Sequence, residues 1–185
     1  MKFIETKFKD MHVIEPQPFQ DERGSFSRVF CEKEFKEIGL TKRIVQINYS
    51  ATTKKGAIRG MHFQLPPAAE IKIVKCIRGS ILDVGIDLRK NSSTFLQWYG
   101  EILSTDNMKM LIIPEGFAHG FQALEENIEM IYFVTEFYAP QYEGGVRYND
   151  PKVKVEWPLE VTDISKKDIK WPYLDENFKG INTLG

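Results

Sequence analysis

The sequence predicts a mainly β protein, a β-sandwich or β-barrel with few short helices. Three observations lead there. Apolar and polar residues alternate at period two over several runs. β-Branched and aromatic residues fill those runs. Turn residues separate them at short intervals, as in all-β architectures.

After a short N-terminal strand arm, Glu32 to Ile38 reads as a two-turn helix. Ile44 to Tyr49 and Ile58 to Phe63 are strand-like, with Lys55-Gly56 as the turn between them. Pro66-Pro67 then precedes the run from Ile71 to Arg78. Ile71, Ile73 and Ile77 share one of its faces with Lys75, and Lys72, Val74, Cys76 and Arg78 share the other. Gly79-Ser80 turns the chain into Ile81 to Arg89, where Leu82, Val84, Ile86 and Leu88 oppose Ile81, Asp83, Gly85, Asp87 and Arg89. Trp98 to Leu103, Met110 to Ile113 and Met130 to Tyr138 complete the expected strands, with turns at Asp106-Asn107, Pro114-Glu115-Gly116 and Gly144-Gly145. A short helix is expected from Ser165, with Asp168 three residues on in a capping-box arrangement.

A chain of 185 residues fits one domain, residues 1–185, and at this length buries roughly 70% of its unfolded surface. Lys and Arg total 25 against 26 Asp and Glu, a formal charge of −1, which leaves no basic footprint for nucleic acid or an anionic membrane. Any anion site is therefore local. Cys31 and Cys76 are too few for a disulfide framework and lack metal-ligand spacing. No apolar run approaches ~18 residues, and Met1 to Glu5 forms no signal core. A cytoplasmic protein is the expectation.

Histidine is scarce: His12, His62 and His119. His62 follows Arg59-Gly60-Met61. His119 lies in Ile113-Pro114-Glu115-Gly116-Phe117-Ala118-His119-Gly120-Phe121. The latter looks like the second half of the cupin motif, a Pro-x-Gly-x-x-His turn feeding a jelly-roll strand. The metal-binding first half needs a second His two residues after the first, and Gln64 stands there instead. An imidazole-held metal wants about three protein ligands, so no metal is expected. His remains a natural base near neutral pH if a carboxylate orients it. Tyr132 and Tyr138 share parity, so one regular strand would place them roughly 20 Å apart on one face. Lys72 is either a solvated edge charge on a face that looks at water or a lysine inside the barrel, which is costly unless it meets an anion. The residues alone leave several classes open: a metal-free acid–base enzyme, a metal-dependent cupin enzyme, and a non-catalytic binding module.

Together the segments resemble the dTDP-4-dehydrorhamnose 3,5-epimerase family, from about residue 3 to about residue 175. The matching pieces are Asp21-Glu22-Arg23-Gly24, Arg59-Gly60-Met61-His62-Phe63-Gln64, Lys72-Ile73-Val74-Lys75-Cys76, Asp83-Val84, Asp87-Leu88-Arg89-Lys90 and the His119 segment. Tyr132, Tyr138-Ala139-Pro140, Asn149-Asp150-Pro151, Glu156-Trp157-Pro158 and Ser165-Lys166-Lys167-Asp168 follow in order. The resemblance implies a cupin-type jelly-roll homodimer without a cofactor, acting on a nucleotide-linked 4-keto-6-deoxyhexose at C3, C5 or both. It implies that His62 is the base, Asp168 its orienting partner, Tyr132 the acid and Lys72 the stabiliser of the enolate oxygen. It further implies substrate contacts from Gln46, Asn48, Arg59, His119, Tyr138, Glu143 and Lys167, with Arg23 reaching the diphosphate from the neighbouring subunit. Arg59 and His62 have opposite parity, so a bulge at Gly60 is expected to bring both to one site. Three departures from the family pattern cluster around substrate recognition. Arg28 stands for a glutamate, Ile47 for an aspartate and Glu70-Ile71 for Gln-Gly. An epimerase for a single carbon, or for a different nucleotide sugar, is the alternative within the family.

Overall fold

The alternation in the sequence resolves into two facing antiparallel sheets in the computed structural model, which describes residues 1–183. Six strands form the first, in the order β1 (Lys2–Glu5), β2 (His12–Glu15), β10 (Met110–Ile113), β7 (Lys72–Arg78), β12 (Ile128–Val134) and β5 (Gln46–Thr52). The second has five, in the order β13 (Glu143–Gly145), β6 (Ile58–Gln64), β11 (Phe117–Ala123), β8 (Ser80–Asp87) and β9 (Trp98–Ser104). A separate hairpin pairs β3 (Phe19–Asp21) with β4 (Gly24–Phe26). The helices are α1 (Glu32–Glu37) and α2 (Lys166–Ile169). This is the jelly-roll arrangement the sequence predicts, with strands close to the expected ranges.

Three apolar layers explain why so many strands are buried on both faces. Between the sheets lie Val74 and Cys76 of β7, Ile128 and Met130 of β12, and Phe117 and Phe121 of β11. The opposite parity of β8 (Val84 and Ile86) faces outward with Met61 and Ala118, and is covered by Val146, Val153 and Ile181 of the C-terminal segment. Ile73, Ile112 and Phe133 on the outer face of the six-stranded sheet are covered by Phe35 of α1 and Leu40. The C-terminal segment is thus bound to the barrel by its apolar residues. That fixes where α2 comes to rest.

Two expectations are corrected. Gly144-Gly145, expected as a turn, instead lies in β13, paired with Phe63 and His62 of β6. The run from Met130 to Tyr138 does not stay a strand, because β12 ends at Val134. Thr135 exchanges bonds with Ile71 through its N–H and its hydroxyl. Beyond it the backbone N–H groups of Tyr138 and Ala139 donate to the side-chain oxygens of Gln46 and Gln64. Side-chain acceptors replace the strand ladder there, and Pro140 opens a 3-10 turn. Tyr132 and Tyr138 therefore do not share a strand face.

Asp87, at the end of β8, is fully buried and organises the next turn. Its Oδ1 accepts from the N–H and Nε of Arg89, and its Oδ2 from Arg89 Nη2, Ser92 Oγ and Thr94 Oγ1. Burial alone would push this carboxyl up, but those donors outweigh burial and hold it below the ordinary range. A depressed carboxylate contributes stability that is present above the unfolded value, about pH 4, and is lost as pH falls through the native value. Asp87→Asn is expected to cost about 3 kcal/mol at pH 7, the scale for breaking a buried pair. Urea denaturation should show the gap to the parent protein narrowing on acidification. A gap independent of pH would contradict the assignment.

Candidate active site

The site is built where a bulge, a helix cap and a sheet-to-sheet gap meet. On β6, His62 lies opposite His119 of β11, whereas Arg59 lies opposite Phe121. Between these pairs, two residues on β6, Gly60 and Met61, thus face Gly120 alone on β11. This is the bulge that the parity of Arg59 and His62 demanded, and Gly60 carries it with φ +122°. A Cβ there would lie 2.6 Å from Gly120 Cα and 2.7 Å from the His119 carbonyl oxygen. With the bulge in place, Arg59 and His62 line the same cleft.

The cap supplies the carboxylate. Ser165 caps α2, its Oγ accepting from the Asp168 N–H at 3.0 Å. This is half of the predicted capping box. The Asp168 side chain does not return to the cap but turns to the barrel. Its Oδ1 lies 2.6 Å from His62 Nε2, and its Oδ2 accepts from the Gly60 N–H at 3.3 Å. Burial pushes this carboxyl up, yet His62, the Gly60 N–H and Ser165 together hold it below the ordinary range. The partially exposed His62 thus has a buried carboxylate behind it and Nδ1 as its remaining ring nitrogen. Trp171 packs edge-on to the His62 ring, with centroids 6.3 Å apart. Its indole lies where a side chain on Gly145 would be.

Lys72 and Tyr132 come from the other sheet, on the adjacent strands β7 and β12. Two cavities, of about 590 and 360 Å3, meet at His62, Lys72 and Tyr132, which line both. Arg59, His119, Lys167 and Asp168 line the larger cavity, and Gln46, Asn48, Tyr138 and Glu143 the smaller. Burial first, then the charge of Glu70, pushes the Tyr132 phenol up, against the opposing charge of Arg59. Tyr138 donates to Glu143 at 3.0 Å, and Lys167 donates to both oxygens of Glu143 at 2.6 Å. Arg23 lines neither cavity. It sits at the exposed turn of the β3–β4 hairpin, paired with Asp21 at 2.5 Å.

Sequence reasoning missed two carboxylates. Asp83 is completely buried, and its Oδ1 lies 2.7 Å from His119 Nε2. Its signal was an acid mid-strand on the inward parity of β8. Glu70 reaches Lys72 Nζ at 3.2 Å. Its signal was an opposite charge two residues away, hence on the same face in extended chain. Lys54, which also lines the larger cavity, pairs with Asp163 at 3.1 Å. Among the described residues, Arg59 is thus the one cation lining these cavities without a carboxylate partner. Its Nε and Nη2 donate instead to Thr52 Oγ1 and the Ala51 carbonyl. No group of three His, Cys, Asp or Glu residues able to hold a metal occurs among the described residues. Gln64, where a ligating histidine would have stood, is buried and ties Ala68, Phe137 and Ala139 together through its amide.

A family model for dTDP-4-dehydrorhamnose 3,5-epimerase matches residues 5–176. A curated dTDP-4-dehydrorhamnose 3,5-epimerase from Methanothermobacter thermautotrophicus is 45% identical over 179 residues, covering 95% of this chain and 96% of that protein. The crystal structure of the epimerase from Elizabethkingia anophelis aligns with a TM-score of 0.91 at 39% identity, over 96% of this chain and 98% of the other. That of the Bacillus anthracis enzyme, with TDP and pyrophosphate bound, aligns with a TM-score of 0.90 at 42% identity, over 94% and 99%.

Gly60→Ala tests the bulge. A methyl aimed at two backbone atoms, on a residue of positive φ, is expected to cost more than about 1 kcal/mol. Thermal and urea unfolding check this. Unchanged stability would mean that the strand pairs without the bulge.

Proposed function

The chain belongs to the dTDP-4-dehydrorhamnose 3,5-epimerase family, and we propose that the junction of the two cavities is where it performs that family's reaction. The protein is an isomerase that epimerises a dTDP-linked 4-keto-6-deoxyhexose at C3 and C5. One observation carries the placement of the chemistry. His62 comes from one sheet, and Tyr132 and Lys72 come from the facing sheet. Facing sheets stand roughly 10 Å apart, so a sugar ring between them meets His62 on one face and Tyr132 on the other. Inversion of a carbon needs that arrangement.

The ketone at C4 acidifies the hydrogens on C3 and C5. His62, oriented by Asp168, takes one of these protons through Nδ1. The C–H electron pair moves into the ring and places negative charge on O4, where the Lys72 ammonium receives it. Tyr132 then delivers its phenolic proton to the opposite face, the new C–H bond forms, and solvent restores both side chains. Repetition at the second carbon completes the double inversion. His119, oriented by Asp83, lines the sugar pocket. Arg59, the cation without a carboxylate partner, suits an anionic group of the nucleotide, with Gln46 and Asn48 beside it in the gap. Tyr138 offers an exposed ring for stacking on the base, steadied by Glu143 and Lys167.

The placement of Arg23 favours a homodimer. The β3–β4 hairpin stands away from both sheets, with its cross-strand pair Phe19 and Phe26 67% and 75% exposed. Ile47 and Tyr49 on the edge strand β5 are exposed as well. A lone hairpin of this size is marginal in water, and a bare apolar edge invites pairing. A second copy would cover both and bring Arg23 to its neighbour's cleft. No helix among the described residues is long and apolar enough to cross a membrane. Both cysteines are free thiols, which suits a reducing cytoplasm.

Two measurements test this reading. His62→Ala and Tyr132→Phe are each expected to lower kcat by at least ~10²-fold, the contribution of general acid–base catalysis. Near-normal turnover in either variant would remove the assigned role. Sedimentation is expected to give twice the 21.5 kDa of one chain, with Phe26→Asp shifting the mass toward the monomer. A monomeric parent protein would refute the dimer.

A further inference from the structure

Glu70 stands inside the site, and the mechanism above does not use it. It precedes Lys72 by two residues, so both side chains leave the extended backbone on the same side. Each is only 13% exposed, and their charged atoms lie 3.2 Å apart. Both line the smaller cavity with His62 and Tyr132. A carboxylate this deep is costly without a partner, and the partner it has is the ammonium assigned to the enolate oxygen.

Building on that assignment, we propose that Glu70 is a positioning residue of the reaction: it anchors the Lys72 ammonium at the junction of the two cavities and sets the charge that the Tyr132 phenol faces. The physical case has two parts. A lysine head on a four-carbon stem has many rotamers, and a fixed anion beside it selects few. When charge develops on the substrate oxygen, the ammonium is already in place and no side chain must be ordered during the step.

The second part concerns the acid. Tyr132 shares its cavities with Arg59 and His62 from β6, His119 from β11 and Lys72 from β7. Of these, the Arg59 charge favours loss of the phenolic proton. Asp168, Asp163 and Glu143 also line these cavities, but they are engaged by His62, Lys54 and Lys167. Glu70 is the carboxylate whose charge acts on Tyr132, and it favours the protonated phenol. An acid catalyst must hold its proton until the enolate forms. Glu70 thus works on both residues of the facing sheet at once, fixing the cation and keeping the acid charged with its proton.

The test uses Glu70→Gln and Glu70→Asp in the full chain, with folding checked by circular dichroism and urea midpoints. The ultraviolet absorbance of tyrosinate is followed against pH, and the same titration of Tyr132→Phe is subtracted to isolate Tyr132. In Glu70→Gln the Tyr132 transition is expected to move down by at least ~0.5 pH unit. The alkaline limb of the kcat profile should move in the same direction. Although glutamine is the family pattern at this position, the Lys72 of this chain is set against a carboxylate, so at neutral pH kcat of Glu70→Gln should fall on the order of five- to tenfold with KM changed less than about threefold, the pattern of an interaction that acts in the transition state. Glu70→Asp should recover part of both effects. An unmoved Tyr132 titration together with an unmoved profile overturns the proposal. A moved titration in a protein without epimerase activity would leave the Glu70–Tyr132 coupling standing and remove the functional reading instead.

Discussion

The hydrogen bond between His62 Nε2 and Asp168 Oδ1 joins residues 106 positions apart, and much of the structure serves to make it. The C-terminal segment must lie against the outer face of the five-stranded sheet, and Val146, Val153 and Ile181 hold it there. The Ser165 cap starts α2 and sets Asp168 facing the barrel. The bulge at Gly60 turns His62 toward that carboxylate and lends it a backbone N–H. Trp171 then closes one side of the imidazole, against a strand where only glycine leaves room for it. None of these features is chemical. Each is a packing or backbone constraint whose result is one oriented imidazole.

The same logic recurs across the cleft. His119 is backed by Asp83, Lys72 by Glu70, Lys167 by Glu143 and Lys54 by Asp163. Pairing lets the barrel hold Asp83, Glu70 and Lys72, because a buried charge without a partner would be too costly. Pairing also separates roles. Cations with a carboxylate behind them are held in place and partly neutralised. Arg59 retains its full charge against neutral acceptors and is the natural seat for an anion.

Much of the fold was legible because strands buried on one or both faces show their period directly. The β7 and β8 faces read from alternation are the faces observed, and the parity conflict between Arg59 and His62 announced the bulge before any coordinates. The scarcity of histidine narrowed the site, and the family resemblance supplied the proton-transfer set proposed for it. What stayed hidden depended on long-range contact. Periodicity carried Met130 to Tyr138 as one strand, because nothing local shows that Gln46 and Gln64 capture the Tyr138 and Ala139 N–H groups. Asp83 and Glu70 looked like ordinary strand charges until the structure showed what they touch, His119 on the neighbouring strand and Lys72 two residues on. Glu70 had stood out only as a departure from the family pattern, and its contact with Lys72 gives that departure a physical meaning. Arg23 cannot be placed within one chain, because its hairpin lies apart from its own cleft.

Proton exchange at the sugar ring tests the central claim most directly. The protein is incubated in D2O with dTDP-4-keto-6-deoxyglucose, without added metal or cofactor, and the label is located by mass spectrometry and NMR. A base and an acid on opposite sheets predict deuterium at both C3 and C5, with the rhamnose configuration appearing at the same rate. No deuterium above background at either carbon would contradict the account, since the His62–Asp168 pair would then be holding a base that abstracts nothing.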